Sequence, residues 1–140
     1  MTASPDRPVE TPQQWLRYAE GGLAVAEREM HAPAPVYHVV CFLCQGAAEK
    51  FLKGYLISRG WSLEKTHDLV TLLGRCAGYE PEFANLAAAG ALLNEYTVAG
   101  RYPGDIAWEQ IGAAEANEAL EAAQRIRTQV KQAMSAEREA

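Results

Sequence analysis

The stretch CFLCQGAAEKFLKGYL, residues 41–56, decides how the chain is read. It contains a C-x-x-C, half of many zinc and thiol-redox sites, yet it lies inside an unbroken helical pattern. On a wheel of roughly 100° per residue, Val40, Cys44, Ala47, Ala48, Phe51, Leu52 and Tyr55 spread over about half the circumference. His38, Phe42, Gln45, Glu49 and Lys53 share a narrower arc. A helix apolar over so wide an arc must touch neighbours on several sides. Residues 36–58 are therefore expected as the central helix of a bundle.

The cysteines are read against that helix. A structural zinc site takes four ligands, and the remaining candidates, Cys76, His31, His38 and His67, form no second spaced pair. Thiol-redox pairs sit where a helix dipole lowers a thiol pKa, at an N-terminus, whereas Cys41 falls about one turn inside. The three cysteines are thus expected as reduced, packed thiols, with no metal and no cofactor.

Outward from the central helix, the chain is punctuated into further helices. Residues 1–11 read as a flexible leader, and Thr11-Pro12 as an N-cap followed by Pro at the first helical position. A first helix then carries Trp15, Leu16, Ala19, Leu23 and Ala26 to about Met30. Arg59-Gly60-Trp61 closes the central helix, and Thr66 or Asp68 can cap a third helix bearing Leu69, Leu72, Leu73 and Cys76. Pro81 can open a fourth, with Phe83, Leu86, Ala89, Leu92 and Leu93 inward, to about Tyr96. After the turn VAGRYPGD, a last long helix is expected from about Ile106 to Met134. No segment alternates as a strand does. The fold expected is all-α, an up-and-down helical bundle of about five helices over residues 12–135, with 136–140 as a C-terminal tail.

Composition narrows the function classes. A chain of 140 residues makes one domain that buries roughly 68–70% of its unfolded surface, enough to fold without staples. A net charge of −5 argues against coating nucleic acid through the overall field. The start, MTASPDRPVETPQQ, has no apolar signal region, and no run approaches the ~20 apolar residues of a membrane span. A cytoplasmic location and no membrane partner are expected.

Three places carry candidate chemistry. Glu49 precedes Lys53 by four residues, an orientation that stabilises a helix by about 0.2–0.5 kcal/mol, so a solvated ion pair accounts for the charges. It leaves unexplained why Gln45, His38 and Phe42 share the arc, a mixture suited to a cleft or partner surface. Arg101, set between Gly100 and Tyr102-Pro103 in the loop that begins at Tyr96, is a cation flanked by phenolic rings, suited to a phosphate and to stacking on a base, or else to tying the loop to a carboxylate. His67, between Thr66 and Asp68, is either a titratable site group or a structural residue at a helix start.

Taken together, Gln45-Gly-Ala-Ala-Glu49-Lys50 followed by Lys53, then His67-Asp68-Leu69, then Arg101-Tyr102-Pro103, resemble the HEPN domain family of prokaryotes, over about residues 12–135. The resemblance implies a helical bundle, usually a homodimer, often encoded beside a minimal nucleotidyltransferase as a toxin–antitoxin-like pair. The function expected on this basis is a module that also holds a nucleotide or RNA phosphate with Lys53, His67 and Arg101, with Gln45 and Glu49 orienting it and Tyr96 or Tyr102 stacking or, by analogy with partners of such transferases, receiving a nucleotidyl group. Many relatives are metal-independent ribonucleases using Arg, four to six residues, then His. Here no histidine follows Arg101, and Arg59 to His67 leaves seven residues between. The expectation therefore leans away from an enzyme and towards a binding module. The alternative is a ribonuclease toxin with a diverged pair, His67 as acid or base and Arg101 as charge stabiliser.

Overall fold

A computed structural model of the chain describes residues 10–62, 65–96 and 110–139. Among them are five α-helices: α1 (Pro12–Met30), α2 (Tyr37–Ser58), α3 (Leu69–Ala77), α4 (Ala87–Asn94) and α5 (Ala113–Glu139), with a 3-10 helix at Pro81–Leu86 before α4. No strand occurs among the described residues. The all-α bundle expected from the periodicity is the fold observed.

Local chemistry sets the helix ends. Thr11 caps α1 by a reciprocal box: its hydroxyl accepts from Gln14 N at 3.1 Å, and Gln14 Oε1 accepts from Thr11 N at 2.7 Å. After α2, Gly60 takes φ +89°, and Trp61 N returns to Leu56 O at 3.0 Å, which satisfies carbonyls the helix end leaves open. Of the two caps offered for α3, Asp68 is the one used, accepting from Val70 N and Thr71 N.

Three boundaries differ from the sequence reading. The segment after Pro81 winds first as a 3-10 helix, because Phe83 and Leu86, three apart, are both buried and three residues per turn put them on one side. The last helix starts at Ala113, where Glu115 Oε1 accepts from Gly112 N at 2.8 Å and Ala116 N bonds Gly112 O. It continues to Glu139, through residues set apart as a tail. The leader, apart from Glu10 and Thr11, and Ile106 lie outside the described residues.

α2 occupies the centre, packed against α1, α5, α3 and α4. Its whole apolar arc is buried, Val40, Cys44, Ala47, Ala48, Phe51, Leu52 and Tyr55 among it. Close approach needs small residues: a Cβ on Gly54 would stand 3.1 Å from Trp15 Cβ of α1, and one on Gly90 would stand 2.6 Å from Leu73 Cδ1 of α3. Ala116, Ala119, Ala123, Ile126 and Val130 of α5 complete the core. Among the described residues no helix is long and apolar enough to cross a membrane.

Candidate functional site

The narrow arc of α2 is more than a solvated face. Gln45 and Lys53 are buried, each 4% exposed, and Glu49 lies between them one turn from each. The Glu49 carboxylate accepts from Lys53 Nζ at 2.8 Å and from Gln45 Nε2 at 3.3 Å. From the opposite side comes His67, whose Nδ1 stands 2.9 Å from Oε2 and 3.1 Å from Oε1. Four of the residues singled out in the sequence thus meet on one carboxylate, although His67 lies 18 positions from Glu49.

The electrostatics follow from the contacts. Burial pushes the Glu49 carboxyl up, and the hydrogen bonds and charges of Lys53 and then His67 outweigh it, holding the group below its ordinary value. Lys53 is therefore engaged internally, its ammonium buried against Glu49. His67 keeps 63% of its side chain exposed while its Nδ1 is committed. An ionised carboxylate only accepts, so Nδ1 must carry the hydrogen, and a neutral imidazole then has its lone pair on Nε2. Beside this cluster runs a cleft of about 250 Å³ between α1 and α2, walled by Tyr18 and Phe42, with Gly22, Gly46 and Lys50 along it and Glu49 and His67 at its margin.

The placement of His67 depends on Asp68, expected as a cap, and on Thr71 and Asn94, which the sequence reading did not single out. Asp68 Oδ2 accepts from Thr71 Oγ1 at 3.0 Å, and Asp68 N donates to Thr66 Oγ1 at 3.2 Å. Asn94, at the end of α4, accepts from Leu69 N through Oδ1 at 2.8 Å and donates through Nδ2 to Asp68 Oδ1 at 2.8 Å. The signal was present as two adjoining polar motifs, His67-Asp68 and Asn94-Glu95-Tyr96, whose pairing no local rule predicts.

The other candidates are placed differently. Tyr96 is 9% exposed and its hydroxyl is hydrogen-bonded to Cys41 in the interior, where burial raises its pKa. It is not among the residues that line the cleft. Arg101, Tyr102 and Pro103 lie outside the described residues. The thiols of Cys41, Cys44 and Cys76 are buried and free, pushed up by burial to about 11, 12 and 12. Thiols so protonated are poor nucleophiles. No group of three or more His, Cys, Asp or Glu side chains able to hold a metal occurs among the described residues.

With the bundle and this cluster in view, comparison with known proteins is decisive on family. The model of the HEPN domain matches residues 12–133, almost the whole bundle. The chain belongs to the HEPN domain family. Among solved structures, this HEPN chain resembles an archaeal HEPN homologue with a TM-score of 0.71 and 26% identity, over 88% of this chain and 97% of that one. It resembles the TT1696 protein of Thermus thermophilus with a TM-score of 0.71 and 29% identity, over 86% and 96%. No curated protein matches it. The HEPN assignment agrees with the Gln45–Lys53, His67–Leu69 and Arg101–Pro103 motifs from which the resemblance was drawn.

Proposed function

We propose that this HEPN chain is a binding and regulatory module. It works as a homodimer, docks a minimal nucleotidyltransferase as one half of a toxin–antitoxin-like pair, and presents the Gln45–Glu49–Lys53–His67 cluster, with Arg101 and Tyr102, to a nucleotide or RNA phosphate. The observation that carries the reading is the cluster itself: a carboxylate inside the bundle, neutralised by a buried lysine, holds an exposed imidazole at the edge of a cleft. Such an investment of buried polar groups exceeds what a helix surface needs. Lys53 then acts through Glu49 rather than on the ligand, and His67 is the group that meets it. Five large apolar side chains exposed on α1 and around the start of α2, Tyr18, Val25, Val36, Val39 and Phe42, support association through this face.

The test is incubation of the purified chain with its cognate transferase and ATP, read by size-exclusion chromatography and intact mass. A stable complex is expected, with peptide mapping to locate any nucleotidyl adduct. Tyr96 is too buried to be its acceptor. Failure to form a complex, together with unchanged nucleotide and RNA binding in His67→Ala, sinks the proposal.

The second reading, a metal-independent ribonuclease, is favoured by one specific feature. Glu49 holds His67 Nδ1 as the orienting carboxylate of a general acid–base pair would, which directs Nε2 to the reacting proton. In this reading Arg101 stabilises the phosphorane charge. RNA cleavage without added metal, lost in both His67→Ala and Arg101→Ala with the fold intact, is the expected result, and wild-type protein inert on every RNA offered removes it.

A further inference from the structure

The imidazole of His67 is exposed over most of its surface, and its Nδ1 is hydrogen-bonded to Glu49. An exposed side chain keeps a single orientation only where the backbone beneath it is fixed. Asp68 fixes the first turn of α3 internally, through Val70 N, Thr71 N and the Thr71 hydroxyl. That cap says nothing of where the turn stands relative to α2, which carries Glu49. The external reference is supplied by α4. Asn94 takes the Leu69 amide, which the Asp68 carboxylate does not reach, and returns a donor to that same carboxylate, both at 2.8 Å. A carboxamide offers an acceptor and a donor in one short fork without needing a proton from solvent. Gly90, one turn earlier in α4, lets the helix close on Leu69 and Leu73, so the clamp and the close approach lie on one face.

We infer that Asn94 is the positioning residue of the His67–Glu49 pair: its amide locks the start of α3 to the end of α4 and thereby sets the imidazole on the carboxylate of α2. Asn94 touches neither partner and acts through Asp68 and Leu69. The inference deepens the proposed function and rests on it only in taking that pair as the working part of the site.

The experiment is long-range proton–nitrogen NMR of the histidine rings in the full chain. Wild-type protein should show His67 with hydrogen on Nδ1 and, in the neutral ring, a bare Nε2. Asn94→Ala should lose that signature to a mixture of tautomers, and exchange of the Leu69 amide should accelerate. Glu49→Gln should alter the same ring signals. Glu137→Ala, which removes the ion pair to Arg59 ten residues along α2 from Glu49, should leave them unchanged, so general loosening is not mistaken for positioning. An unaltered His67 ring in Asn94→Ala overturns the inference. Should that variant not fold, Asn94→Asp keeps the acceptor for Leu69 and sets a second carboxylate against Asp68; the same change in the His67 ring is expected, and none overturns the idea. The two readings fail separately. Failure to form the transferase complex, together with nucleotide and RNA binding unchanged in His67→Ala, would end the proposed function and leave the NMR result standing.

Discussion

At the scale of single residues, Lys53 is where sequence and structure diverge most in meaning. The four-residue spacing to Glu49 describes a surface pair worth a few tenths of a kcal/mol, but the ammonium is buried and the carboxylate nearly so. A charge taken out of water must be balanced, and the loss of one partner leaves the other uncompensated. Lys53→Ala is expected to cost about 3 kcal/mol in urea unfolding, well beyond a helix surface pair. The depressed Glu49 pKa adds a pH dependence of definite sign. A carboxyl whose folded pKa lies below its unfolded value of about 4.3 contributes stability above that pH and loses it as pH falls through the folded pKa. The wild-type chain should therefore weaken below about pH 4, and the stability of Glu49→Gln should fall less steeply over that interval. Equal slopes in the two proteins would count against the depressed value.

At the scale of elements, the glycines separate by what surrounds them. Gly21 on α1 has nothing within 4 Å of a Cβ, so Gly21→Ala is expected to stabilise by roughly 0.5–1 kcal/mol through backbone entropy alone. Gly90 on α4 is the reverse case. Its Cβ would overlap Leu73 Cδ1, and Leu73 is itself buried and cannot swing away. Gly90→Ala should therefore destabilise by about 1–3 kcal/mol, as overpacking does. Thermal unfolding of the two variants side by side checks both signs. Helix existence was legible here because a 3.6-residue stripe of Ala, Leu, Ile and Val requires no knowledge of the partner. The start of α5 was not, because Ile106 continues an apolar pattern whereas the first helical hydrogen bond is decided at Gly112 by the reach of Glu115.

At the scale of the whole molecule, α2 is covered by four other helices, yet on the face shared by α1 and the start of α2 Tyr18 at 70% exposure and Phe42 wall one cleft, and Val25 of α1 and Val39 of α2 are exposed as well. If that face joins two copies, Phe42→Glu places a charge within it. Sedimentation equilibrium should then report a dimer for the wild type and a monomer for the variant, with far-UV spectra unchanged. A wild-type monomer at tens of micromolar would exclude this face as a self-interface.

The chemistry of the site was partly written in order along the chain. Gln45, Glu49 and Lys53 fall on one helical arc by spacing alone, and the width of the apolar arc beside them determined that α2 is central. Its family resemblance, too, was carried by linear motifs. What only the tertiary structure decided is which charges remain available. Lys53 is spent on Glu49, Tyr96 turns into the core onto Cys41, and His67 arrives from beyond a turn to face the carboxylate, held there with Asp68 and Asn94. The physical reason is one of range. Helical periodicity and capping act over a few residues, and a sequence displays them directly, whereas the burial of a lysine or the meeting of residues 18 and 26 positions apart depends on how helices pack, which no local pattern encodes.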